Sequence, residues 1–163
     1  MSTPIAYSKH EAWPTPIYQS TIEVKDKWLD FCNTTEFERM ETDNGNISKD
    51  RNILEQTDLK NDIEDHLNYV RDWLKVDERI KFYFTTSWLV KHNKGDWSGM
   101  HYHANSLVSG VYYLKTPKDS GVIKFHQHFN KSAFPEMLRF EYTEDNMINS
   151  EVVAVKVKAG DIL

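Results

Sequence analysis

The feature that most constrains the fold is a change of hydrophobic period in mid-chain. From Thr57 to Val76 the apolar residues Leu59, Ile63, Leu67, Val70, Trp73 and Leu74 recur at three- and four-residue intervals, which predicts an amphipathic helix. Thr57 or Asp58 is placed to cap it, and Asp62 and Glu64 suit its positive end. From Arg79 the period becomes two. Ile80, Phe82, Phe84, Thr86, Trp88 and Val90 alternate with Lys81, Tyr83, Thr85, Ser87, Leu89 and Lys91, which predicts a long strand.

Shorter β-type runs follow at Leu107–Lys115, Val122–His126, Met137–Tyr142 and Val152–Val157, separated by turn signals such as Pro117-Lys118-Asp119-Ser120-Gly121. Upstream, Trp13-Pro14-Thr15-Pro16-Ile17-Tyr18 reads as an extended opening, Glu23–Asn33 as a short helix and the polar stretch Thr42–Asp50 as a loop. Helices followed by a run of strands predict an α+β, mainly β chain with the helices packed on an antiparallel sandwich or barrel. At 163 residues this is one domain, residues 1–163, with a helical part over 20–76 and a β core over 79–163.

Composition excludes several functions. A single cysteine, Cys32, rules out a disulfide framework and a CxxC zinc site, and its place in the first helix reads as structural. Twenty-five acidic against twenty basic residues, with no basic stripe, argue against nucleic-acid binding. The apolar runs are too short to span a bilayer and the N-terminus lacks the apolar core of a signal peptide, so the expectation is a cytoplasmic protein with no membrane partner. Phosphate-loop, dinucleotide-binding, nucleophile-elbow and HExxH patterns are absent from the sequence.

What chemistry the chain offers is concentrated in histidine. Two of its seven histidines form His101-Tyr102-His103 and two form His126-Gln127-His128. Residues i and i+2 of a strand share a face with bases about 7 Å apart, so two imidazoles can converge on one ion. Gly95 and Gly99 flank the approach, Trp88 and Trp97 stand near to exclude water, and the apolar run Ser109–Leu114 returns after a polar turn at Ala104-Asn105-Ser106. Without thiolates, such a site suits Fe(II), Zn or Cu over Mg or Ca. His126 or His128 either faces water at a strand end or reaches the same pocket; His66, beside the helix stripe, reads as an ordinary surface or core-edge histidine.

The succession Trp88, Lys94-Gly95-Asp96, His101-Tyr102-His103, Ser109-Gly110-Val111-Tyr112-Tyr113-Leu114, Pro117 and Ser120–Phe125 resembles the 2-oxoglutarate- and Fe(II)-dependent oxygenases, in a branch associated with phage and bacterial proteins. The resemblance runs from the Trp13 opening to the C-terminus. It implies a double-stranded β-helix (a jelly roll) with iron at its mouth, His101 as the first ligand, and His103 where the wider superfamily has a carboxylate. It further implies that Tyr113 hydrogen-bonds the distal carboxylate of 2-oxoglutarate, and that a small-molecule or peptidyl substrate is hydroxylated as the cosubstrate is oxidatively decarboxylated. Members carry a distal histidine and a cosubstrate-pairing arginine after a segment like Val157–Leu163. Neither is among these 163 residues, so the expectation is an incomplete domain with its last strands missing and its activity in doubt. Two alternatives stand beside it. In a cupin-like metal-binding jelly roll, Gly95-x5-His101-x-His103 would open the motif, but Leu107 and Val108 occupy the place of its glutamate. In a non-catalytic interaction protein derived from an oxygenase, the histidines would be incidental.

Overall fold

The computed structural model describes residues 15–41, 43–126, 143–144, 150 and 152–163. Its elements are β1 (Ser20–Thr21), α1 (Asp26–Thr34), β2 (Phe37–Arg39), β3 (Asn46–Ser48), a 3-10 turn (Ile53–Gln56), α2 (Leu59–Trp73), β4 (Val90–Lys91), β5 (Val122–His126), β6 (Val152–Lys156) and β7 (Asp161–Ile162). The described residues form a mixed α/β structure with two helices and small antiparallel sheets: β1 with β7, β2-β3-β4, and β5 with β6. The Trp13-Pro14 opening, His128 and the Met137–Tyr142 run lie outside the described residues.

The core forms where both helices meet the end of the chain. Ile22, Trp28, Leu59 and Ile162 are buried together, and Leu54, Ile63, Tyr112 and Leu114 pack against them. Ile162 is paired on both sides, with Ser20 of β1 and with Tyr112, whose neighbours Val111 and Tyr113 exchange backbone hydrogen bonds with Leu163, Asp161 and Gly160 at 2.8–3.0 Å. Residues 160–163 are thus the middle strand between 20–22 and 111–113, and the helices lie on this small sheet. Among the described residues, the ladder bonds of the expected Leu107–Lys115 strand are those of 111–113 to residues 160–163.

Helix α1 starts three residues later than its apolar spacing suggests. The Ile22 amide donates to the Gly160 carbonyl at 2.8 Å, and that pairing keeps the preceding backbone extended. At its end, the Thr34 and Thr35 hydroxyls donate to the Phe31 carbonyl at 3.0 and 2.8 Å, satisfying a group the last turn leaves free. Lys25 joins the helices: its ammonium meets Asp62 Oδ2 at 2.7 Å and lies 4.5 Å from the centre of the Trp28 ring.

Helix α2 is where the 3.6-residue period puts it, with Leu59 and Val70 buried and Ile63 against the core, but its expected cap is not made. The Asp58 carboxylate is taken by the Lys27 ammonium and by the Trp28 indole N–H, donated at 2.9 Å. Those two bonds, Lys27 first, hold its pKa down at about 2. The buried Thr57 hydroxyl has no hydrogen-bond partner among the described residues. Trp73 and Leu74, read as the end of the apolar stripe, stay exposed.

The helix stops at Lys75, which holds φ 55° without being glycine, while the Val76 amide donates back to Arg71 at 3.0 Å. A Cβ in the left-handed region is strained, so Lys75→Gly should raise stability by about 0.5–1 kcal/mol after the extra backbone entropy of glycine is subtracted. A shift of the urea midpoint to higher concentration at unchanged slope is the expected reading.

Two sequence expectations need correction. The long strand from Arg79 is a ladder strand only at Val90–Lys91. Burial still alternates, with Phe82 and Phe84 half-buried and Tyr83 81% exposed. A period of two sets which way side chains point, whereas a strand also needs a neighbour's amides. The part that has such neighbours is 86–91: Ser87 bridges Asn52 and exchanges bonds with Arg51 and Ile53 at 2.8 and 3.1 Å. Conversely, the polar stretch Thr42–Asp50 holds β3, which pairs with β2 (Phe37↔Ser48) and with β4 (Asn46↔Lys91). The 20–76 region therefore contains strands as well as helices.

Ser48 is the hinge pin of that sheet. It is wholly buried; its amide donates to the Leu89 carbonyl at 2.9 Å, its hydroxyl accepts the Leu89 N–H at 3.0 Å, and the same hydroxyl donates to the Asp50 carbonyl at 2.7 Å. Ser48→Ala leaves the Leu89 N–H and the Asp50 carbonyl without their partner and should cost about 1–3 kcal/mol, read as a lower urea midpoint.

Candidate metal site

The segment leading to His101 is built on the edge of the β2-β3-β4 sheet. Past the Asn46↔Lys91 pair the chain turns at Asn93–Asp96, where the Asp96 carboxylate accepts the Asn93 N–H at 2.8 Å. That bond, then the Arg39 guanidinium, holds the Asp96 carboxyl below the usual carboxylate range. Trp97 then pairs with Asn44 through two backbone bonds of 2.8 and 3.1 Å. Next, the Gly99 amide donates to Asp43 Oδ1 at 3.0 Å, and the Gly99 carbonyl lies 2.8 Å from His101 Nδ1.

A carbonyl only accepts, so His101 Nδ1 carries the proton of that bond and, in the neutral ring, Nε2 keeps its lone pair. His101 and His103 stand edge to face, ring centres 5.1 Å apart and planes at 85°. Trp88 also packs against His103, tilted, with ring centres 5.6 Å apart. Two imidazoles bound to one ion at about 2.1 Å put their centres roughly 4.6–5.3 Å apart for bond angles of about 90–110°. The ring-centre separation falls in that range, and a ligating imidazole commonly donates its other N–H to a backbone carbonyl, as His101 does. Both rings are exposed, as are Met100, Tyr102 and Leu107 beside them.

The other expected residues fall elsewhere. Trp97, expected to exclude water, is committed to Asn44 by its backbone and is 54% exposed. Tyr113 sits on the 111–113 segment. Tyr112 turns to the helices, edge-on to Trp28 at 6.0 Å with its hydroxyl donating to the Ile22 carbonyl, and alternation puts Tyr113 and Val111 on the opposite face. Half-burial, then the Asp161 charge, pushes the Tyr113 hydroxyl pKa up, so at neutral pH it is a hydrogen-bond donor. His126 ends β5, exposed and opposite Val152. Among the described residues no third His, Cys, Asp or Glu joins the His101–His103 pair in a three-donor group.

Elsewhere, His66 Nδ1 meets the Tyr18 hydroxyl at 2.7 Å, and half-burial pushes the Cys32 thiol pKa up, away from an activated thiolate. The residues that sequence reasoning missed are Asp43 and Ser48. Both lie in the polar stretch read as a loop, and their only signal was a density of Asp, Asn and Ser that suits side-chain to backbone bonding.

The candidate site is thus a pair of exposed imidazoles on a strand-edge loop, and the described residues around it form two helices and small antiparallel sheets, a mixed α/β class. Comparison with known families is more specific. Residues 86–163 match the family model described as "Putative 2OG-Fe(II) oxygenase". The match supports the oxygenase resemblance and takes in His101, His103 and Tyr113; the first 85 residues lie outside it. At the level of the family it implies Fe(II) and 2-oxoglutarate. No curated protein and no solved structure matches the chain. No described helix is long and apolar enough to cross a membrane.

Proposed function

We propose that this chain is a jelly-roll domain of a non-haem Fe(II)- and 2-oxoglutarate-dependent dioxygenase that hydroxylates a small-molecule or peptidyl substrate, without a nucleic-acid or membrane partner. The observation that carries the reading is the His101–His103 pair, set edge to face with His101 Nδ1 bound to a backbone carbonyl. His101 Nε2 and the His103 ring would hold the metal, with His103 in the place of the superfamily carboxylate. A neutral ligand there leaves more positive charge on the ion, which favours an anionic cosubstrate. When bound, Fe(II) with 2-oxoglutarate supplies O₂ activation and C–H hydroxylation, with succinate and CO₂ as co-products. Trp88, packed against His103, would shield that side of the ring from water once the metal is bound. Tyr113, protonated at neutral pH, donates from its hydroxyl to the distal carboxylate of the cosubstrate.

Anaerobic titration of the purified chain with Fe(II) and then 2-oxoglutarate tests this. The expected result is a visible metal-to-ligand charge-transfer band that His101→Ala abolishes. Tight iron binding with no band on adding 2-oxoglutarate overturns the dioxygenase reading in favour of a cupin-like metal protein. No iron binding, or binding that His101→Ala leaves unchanged, overturns the metal reading altogether and leaves an interaction module.

A further inference from the structure

His101 is held by a residue from the other half of the chain. Asp43 and Gly99 are separated by 56 positions, yet the Asp43 carboxylate accepts the Gly99 N–H at 3.0 Å. The Gly99 carbonyl accepts the His101 Nδ1–H at 2.8 Å. The two bonds sit on adjacent peptide units, so only the φ and ψ of residue 99 separate the anchor from the carbonyl that orients the ring. Those two angles are softest when the residue is glycine, which has no side chain to narrow them. The Asp43 bond fixes the peptide unit ahead of residue 99, so the Gly99 carbonyl can swing only about those two angles and not with the whole segment. Asp43 is half-buried, and among the described residues it forms no ion pair that would draw its carboxylate elsewhere. Its neighbour Asn44 is fixed twice over, by the backbone pair with Trp97 and by the Arg39 guanidinium at 3.1 Å, so the anchor is itself seated.

We propose that Asp43 is a positioning residue for the candidate metal site: by holding the Gly99 amide it aims the Gly99 carbonyl, which selects the Nδ1–H form of His101 and presents Nε2 to a divalent cation. The role rests on the metal reading given above, and extends the site into the 85 residues that the family model does not match. An outer partner of a ligating histidine typically matters by about 10- to 100-fold in metal affinity.

The test has a metal-free arm and a metal arm, both on the full chain. Long-range ¹H–¹⁵N spectra of the unmodified protein without metal should show His101 protonated at Nδ1; a predominant Nε2–H form overturns the proposal with no variant needed. Asp43→Ala should shift His101 toward the Nε2–H form and weaken Co(II) binding about 10-fold. Asp43→Asn, whose amide oxygen accepts the same bond, should keep the Nδ1–H form and bind Co(II) within about 3-fold of the parent, a rescue that general loosening would not produce. An unchanged tautomer and Co(II) affinity in Asp43→Ala, while His101→Ala loses Co(II), overturns the role of Asp43 and spares the metal site. Equal Co(II) affinity in His101→Ala and the parent overturns the metal reading instead, and the role of Asp43 with it.

Discussion

Trp28→Ala should destabilise the chain by about 3–5 kcal/mol, which in a protein whose whole stability is about 5–15 kcal/mol leaves little margin for folding. Trp28 is 2% exposed and sits at the centre of the only place where α1, α2 and the 20–22/160–163/111–113 sheet all touch among the described residues. Its ring meets Tyr112 edge-on, carries the Lys25 ammonium over one face and donates its indole N–H to Asp58. The alanine variant opens a cavity that rigid flanking strands cannot close, since each is pinned by backbone bonds. Trp28→Phe separates packing from polarity: it keeps most of the apolar volume and drops the Asp58 bond, and should cost no more than about 1–2 kcal/mol. Urea unfolding of both variants reads the difference, with midpoints falling in the order parent, Phe, Ala.

Gly160→Ala should cost about 1–3 kcal/mol and also disturb the segment that carries Tyr113. Lys158-Ala159-Gly160-Asp161 is a tight turn closed by the Asp161 N–H to Lys158 carbonyl bond at 3.1 Å, with Gly160 at φ 92° in the third position, where that turn type requires positive φ. A Cβ there would also stand 2.9 Å from the Ile22 carbonyl oxygen, backbone that is itself bonded to residue 160. The first penalty belongs to the turn itself and the second to the close approach of residues 22 and 160. Because the Gly160 N–H donates to the Tyr113 carbonyl at 2.8 Å, relief of the clash moves residues 111–113. Amide exchange should therefore quicken at Ile22, Val111 and Tyr113, whereas protection confined to its parent values at those three would contradict the coupling.

Parts of this structure were legible in the sequence. Helix α2 was, because a stripe at 3.6 residues needs only its own chain to be helical and one apolar neighbour to lie on. Strand β5 was, because Val122–His126 alternates between clear turn signals. That His101 and His103 are neighbours follows from their spacing of two in the chain, and the structure adds that their rings stand edge to face with centres 5.1 Å apart.

What the sequence by itself determined is therefore local: the periods, the pair of imidazoles and the aromatic Trp88 close by. Tertiary structure alone decided which extended stretches become strands. Residues 80–84 alternate as well as any strand, but strand formation requires a second backbone, whereas the polar 46–48 becomes the middle of a sheet because 37–39 and 90–91 flank it. The same long-range accounting decides that Asp58 serves Lys27 and Trp28 in place of its own helix, and that Asp43 reaches Gly99. Backbone and carboxylate groups must find partners wherever the fold brings them, and a partner dozens of residues away leaves no mark on local spacing.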